Sequence, residues 1–310
     1  MLGYSKTRWL ALVPAAGRLL DMFVPLKSYF ESQEKCPTVI KQFFCNPLAE
    51  VWLVFAHSMA ETFHSAVLQI EGQKVTAVQV FKALNDLKVR LNARKDNAFL
   101  PQKVKERLRN LEDEDSVNLS DFHRSVMEYY SASIASLDQW CSHLDDMKLF
   151  EWTTLESPPT WNDVQACCDW FLKNVSNSII SDSQLFDEIV NVRSFASGEQ
   201  LDKWNSESTA VDLRWVELLK HFTSRHIPCA NVAKLVEFSL SLPGTNAPTE
   251  RVFSLINDIW TSEKTHLQVE TLKCMVTVKT NITQDCVEFY NHLLTENRVL
   301  KLIHSSQKYK

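Results

Sequence analysis

Glycine is scarce in this chain: Gly3, Gly17, Gly72, Gly198 and Gly244 are the whole supply in 310 residues. That excludes the G-x-x-x-x-G-K and G-x-G-x-x-G loops, in which glycine lets the backbone approach a phosphate. H-E-x-x-H and G-x-S-x-G are missing as well, and with them the common zinc-protease and nucleophile-elbow chemistries. None of the eight cysteines forms a C-x-x-C pair, which argues against a zinc site. A chain this long does not need a disulfide framework, so the thiols are expected to be reduced and mostly buried. No run approaches the roughly 18 apolar residues that span a membrane. No Asn-Gly hairpin signal and no repeated consensus occur.

The net charge of −5 rules out a general polycation, so any nucleic-acid contact has to come from a local patch. The start, "KTRWLALVPAAG", imitates a signal peptide. Its apolar run is short, however, and Pro14 interrupts it before "RLLDMFVPLKSYF", which reads as a helix. The expectation is that the chain is not secreted. The N-x-S/T sites at Asn118, Asn174 and Asn281 would matter only if it were.

What is present is helical periodicity. Asn46-Pro47 is a start signal, followed by an apolar face of Leu48, Trp52, Phe55, Met59, Phe63 and Ile70. Val75, Val78, Leu84, Leu87 and Leu91 predict a helix over 75–92. Phe122, Val126, Tyr130, Ile134, Leu137, Cys141 and Leu144 predict one helix over 121–149. "SPPTW" breaks the chain at 157–161, and Val164, Cys168, Phe171, Val175 and Ile179 start a new helix. Residues 181–209 are polar and weakly periodic, which predicts loop with short helical pieces. Val211, Trp215, Leu218 and Phe222 mark the next helix. Val232, Leu235, Val236 and Leu242 mark another, stopped by Pro243-Gly244. The last three are expected at about 246–260, 264–282 and 284–303.

The basic stretch 88–110 carries Lys88, Arg90, Arg94, Lys95, Lys103, Lys105, Arg107 and Arg109. It either touches phosphates or is a solvated face neutralised by the acidic run Glu112, Asp113, Glu114 and Asp115, and the second reading is favoured. Glu250, in "TNAPTERVFS", sits one turn into a helix capped by Asn246 or Thr245, where the helix dipole favours a carboxylate. Two-metal phosphoryl transfer needs at least three placed carboxylates, and spacing supplies one.

The stretch "LPGTNAPTERVFSLINDIW" followed by "THLQVETLKCMVTVKTNI" resembles the C-terminal signature of hAT-family transposases, a Glu-Arg-x-Phe-Ser segment and then a helix with spaced leucines. "TRWLALVPAAGRLLDMFVPLKSYF" resembles the Thr-Arg-Trp segment that opens that family's helical insertion domain. The middle of the chain matches only as a helical region, and Pro248 and Thr249 replace the small residues usual before the Glu. The resemblance implies a mostly all-α fold: a helical insertion-like region over 1–205, then over 206–310 the C-terminal helical part of an RNase H-like core, which mediates dimerisation. Glu250 matches the family's third metal ligand. Arg8 and Trp9 match a segment that handles a flipped base.

The family's zinc finger, core strands and two metal-binding aspartates would precede the segment on which this sequence opens. Glu250 is therefore expected to be a relic, no Mg²⁺ is expected here, and catalysis is not. The expected function is a transposase-derived interaction protein that self-associates through Val252, Phe253, Ile256, Trp260, Leu272 and Val276. It would pair as a homodimer or with related hAT-derived proteins, with no membrane and no small-molecule substrate. The alternatives are a fragment of an active transposase, or a DNA-binding remnant using Lys88, Arg90, Arg94, Lys95, Lys103 and Lys105, with Arg8 and Trp9. By resemblance the location is nuclear, otherwise cytoplasmic.

Overall fold

The computed structural model describes residues 12–72, 75–111, 119–176, 178–261, 267–281 and 284–304. The fold is all-α, with no strand among the described residues. Chain contacts divide it into two compact units, Met1–Thr245 and Asn246–Lys310.

The first unit opens with α1 (Leu12–Asp21), α2 (Phe23–Ser32) and α3 (Thr38–Cys45). The helix expected over 18–30 breaks at Met22. Phe23 and Phe44 are buried with Ala49 in a small aromatic cluster, in which Phe30 stacks on Phe44 and Phe43 meets the Phe23 and Phe44 rings edge-on. Next come α4 (Ala49–Ile70), α5 (Ala77–Asp96), α6 (Gln102–Arg109) and α7 (Leu119–Cys141). α4 takes Leu48 as its N-cap in place of the expected Asn46, and Asn46 lies two residues ahead. Its Oδ1 accepts the N–H of Leu48 at 2.9 Å, and the helix proper begins at Ala49. The α4 stripe is real: Phe55 and Met59 are buried, and Trp52 and Phe63 pack partly buried beside Phe122, Val126 and Tyr130 of α7. Thr76 starts α5 with a capping box, its Oγ1 accepting from Gln79 N while Gln79 Oε1 accepts from Thr76 N.

The single helix predicted over 121–149 is not continuous. At Cys141 α7 gives way to a 3₁₀ stretch, Ser142–Thr154, which buries Met147, Phe150 and Trp152. Leu155 closes it at φ 50°, a left-handed conformation that costs a branched residue about 1–2 kcal/mol. Two contacts offset that: the Leu155 side chain is fully buried, and its carbonyl accepts from Arg214 Nη1 at 2.9 Å. Arg214, itself buried, also donates to the Thr209 carbonyl at 3.0 Å and Asn205 Oδ1 at 3.1 Å. Burial pushes its pKa down.

The largest core follows, built from the 3₁₀ stretch and α8 (Trp161–Asn174), α9 (Asp182–Phe195), α10 (Gly198–Ser206), α11 (Val211–Ser224) and α12 (Ala230–Ser241). Here 181–209 departs from expectation. It forms two regular helices, with Leu185, Ile189, Val192, Leu201 and Trp204 buried in the same core as Trp215, Leu218 and Phe222. Conversely, Ile179 is not helical and stands 81% exposed.

Pro243-Gly244 does more than stop α12. Pro243 pairs with Thr76 in an isolated antiparallel bridge. A Cβ at Gly244 would lie 2.3 Å from the Val75 carbonyl oxygen and 2.8 Å from the Thr76 carbonyl carbon. Only glycine fits that backbone crossing.

The second unit holds α13 (Ala247–Ile259), α14 (Val269–Asn281), α15 (Cys286–Thr295) and α16 (Asn297–His304). The helix expected over 284–303 is split at Glu296. α13 packs on α14, and α15 on α16.

Candidate interaction surface

α13 begins at Asn246, whose side chain makes no capping hydrogen bond, and its carbonyl accepts the N–H of Glu250 at 2.9 Å. Glu250 stands exposed on this first turn. Among the described residues, no three His, Cys, Asp or Glu side chains are grouped so as to hold a metal ion. The position suits a carboxylate for the electrostatic reason already given.

The residues expected to mediate dimerisation separate by exposure. Val252, Ile256 and Ile259 recur at helical spacing with Leu255. Ile259 is buried and the others are half-buried. On α14, Leu272 is buried and Val276 half-buried. These side chains belong to the inward faces of the α13–α14 pair. Phe253 and, at the residue that ends the helix, Trp260 lie beside the stripe of Val252, Ile256 and Ile259, and they are 59% and 47% exposed. Glu250 and Asn257, both exposed, stand about one turn either side of Phe253. α15 carries a second apolar face that the sequence reading did not single out: Val287, Tyr290 and Leu294 are all exposed. Its signal was available in the i, i+3, i+7 spacing. Among the described residues of this unit, Ile259 and Leu272 are the buried side chains. The unit thus encloses little core and presents a wide apolar exterior.

The basic segment does not form one face. On α5 the buried Leu87 and Leu91 run between two flanks, with Lys88 and Lys95 on one and Arg90 and Arg94 on the other. Lys88 forms an ion pair with Asp138 of α7, and this hydrogen bond pushes its pKa up. Arg90 donates through Nε to the Asp86 carbonyl of its own helix. Arg94 reaches Met59 Sδ at 3.7 Å and lies 5.4 Å from the Phe99 ring centroid, which Lys105 approaches at 5.9 Å. Arg107 pairs with Glu50 of α4 at 2.9 Å. Lys103 is exposed on α6. Lys88 and Arg107 thus pair with carboxylates on other helices. The acidic run 112–115 lies outside the described residues, as do Arg8 and Trp9.

The cysteines are free, as expected, but fewer are buried than expected. Cys167 and Cys168 are buried, whereas Cys45, Cys274 and Cys286 are exposed.

No family model, curated protein or solved structure matches this chain.

Proposed function

We propose that this chain is a transposase-derived interaction protein that self-associates through its C-terminal helices and does no catalysis of its own. Exposed Phe253 on α13 and exposed Trp260 at its C-terminal cap carry the reading. Two large exposed aromatics, in a unit whose buried side chains among the described residues are Ile259 and Leu272, mark a surface that gains from being covered. Aromatic anchors of this kind dominate the energetics of interfaces. The resemblance of 242–260 to the hAT signature supports the same role, because these helices mediate dimerisation in that family. On this reading they correspond to the helical part of its RNase H-like core, the partner is a second copy or a related hAT-derived chain, and the location is nuclear. Glu250, exposed and without clustered carboxylates, serves as a first-turn residue.

Sedimentation velocity over a concentration series tests the proposal. A dimer that dissociates on dilution supports it. A single monomeric species up to high micromolar concentration overturns it. The DNA-binding alternative makes a separable prediction, an affinity for duplex DNA that falls steeply with salt. Four of its basic residues are divided between two flanks of α5, and Lys88 is paired with Asp138, so the interaction reading is preferred.

A further inference from the structure

A cavity of about 250 Å³ lies in the first unit where α7 becomes the 3₁₀ stretch, against α5. It sits at a seam. Phe81 and Leu144 pack against the large core of the 3₁₀ stretch and α8–α12, and Leu137 packs against the core of α4–α7. Small-molecule sites favour such junctions, with an apolar floor and a few convergent polar groups. This one has both. Phe81, Leu84, Leu137 and Leu144 supply the floor, and Lys88, Asp138 and Asp145 the polar side.

The charge at the mouth decides the class of ligand. Lys88 is already paired with Asp138, which leaves the Asp145 carboxylate in surplus. Cys141 lines the same cavity and senses that field: burial first, then Asp138 and Asp145, push its thiol pKa up, against the opposing effect of Lys88. An anion would meet net negative charge there. A cation would be attracted, with its apolar body covered by the four hydrophobic side chains. The volume falls just below the ~300–1,000 Å³ usual for drug-sized ligands, which restricts the occupant to a small molecule.

We propose that this cavity binds a small organic amine, its apolar body on Phe81, Leu84, Leu137 and Leu144 and its ammonium at Asp145. Bound there, the amine touches side chains of both cores and ties them together. Nothing in the sequence pointed to a small-molecule site, because its parts come from positions 81–88 and 137–145 and converge only through packing.

The probe is phenylethylamine, compared with the neutral 2-phenylethanol and the anionic phenylacetate, by isothermal titration calorimetry on the full chain. The amine is expected to bind one to one, and the alcohol and the acid at least about tenfold more weakly, the size of effect expected for a single charge-assisted contact. Asp145→Asn, which keeps shape at an exposed position, is expected to weaken the amine about tenfold and leave the alcohol unchanged. Asn85→Trp, at the exposed lip, is expected to block all three. The proposal is overturned by equal binding of amine and alcohol, by preference for phenylacetate, by wild-type affinity in either variant, or by no saturable binding of the amine.

Discussion

Glu188 accepts the backbone N–H of Val232 at 2.7 Å, and the same carboxylate accepts the N–H of Asn231 at 2.9 Å and its Nδ2 at 2.8 Å. Glu188 is a buried residue of α9, and Val232 lies in the first turn of α12. The residue at the N-cap of α12, Cys229, makes no side-chain capping bond, so a carboxylate from another helix satisfies the buried donors there. Replacing it with Leu orphans these N–H groups at about 1–3 kcal/mol each. Glu188→Leu is expected to lower the unfolding free energy by at least about 2 kcal/mol in urea titrations. Cys229→Asp in that background, restoring a cap from within the chain, should recover about 1 kcal/mol. An unchanged urea midpoint for Glu188→Leu contradicts the assignment.

This carboxylate also shows why 181–209 was hard to read as sequence. Leu185, Ile189 and Val192 have helical spacing, but Glu188 lies among them on the buried face. A charge on an inward face looks like a solvated position until its partners, more than forty residues away, are known. The stripe Phe122, Val126, Tyr130 had no such interruption, and its buried positions were legible directly. That stripe misled only beyond Cys141, because Leu144 keeps helical spacing while the backbone tightens to 3₁₀. On α13 the spacing of Val252, Ile256 and Ile259 sets one stripe with Phe253 and Trp260 beside it, and what spacing could not show is that those two aromatics stay exposed.

At Gly244 the prediction concerns space. Gly244→Ala places a methyl against backbone atoms of Val75 and Thr76, which cannot rotate away. Overpacking of this kind costs about 1–3 kcal/mol. Thermal unfolding of the variant should show a lower midpoint, and Gly198→Ala, whose Cβ meets nothing within 4 Å, should not. Equal midpoints for the two variants contradict the crossing.

Glu217 sets a pH dependence. The Trp204 indole donates to its Oε2 at 2.7 Å and Lys203 to its Oε1 at 3.0 Å, and these contacts hold its pKa below the usual carboxylate range. A depressed folded-state pKa gives stability that is present above the unfolded-state value and lost as pH falls through the folded one. The wild type should therefore exceed Glu217→Gln in stability near neutrality, with the difference closing in acid below the ordinary carboxylate range. A difference that is constant with pH contradicts the assignment.

The thiols should separate by reactivity. Burial pushes the Cys167 pKa up to about 12, with Trp152 opposing, so in the folded protein it holds almost no thiolate at pH 8. Exposed Cys45, Cys274 and Cys286 should alkylate quickly, and Cys167 only at the rate of unfolding. Peptide mapping of the labelled protein reads this directly, and rapid native labelling of Cys167 contradicts it.

Self-association through the outward face of α13 is tested most directly by molar mass in solution. Light scattering on a size-exclusion column would compare the wild type, Phe253→Asp, and Ile179→Asp as a control at an exposed apolar position of the first unit. The account predicts twice the chain mass of 35.7 kDa for the wild type and the control, and the chain mass itself for Phe253→Asp. A monomeric wild type, or a Phe253→Asp variant as large as the wild type, contradicts it.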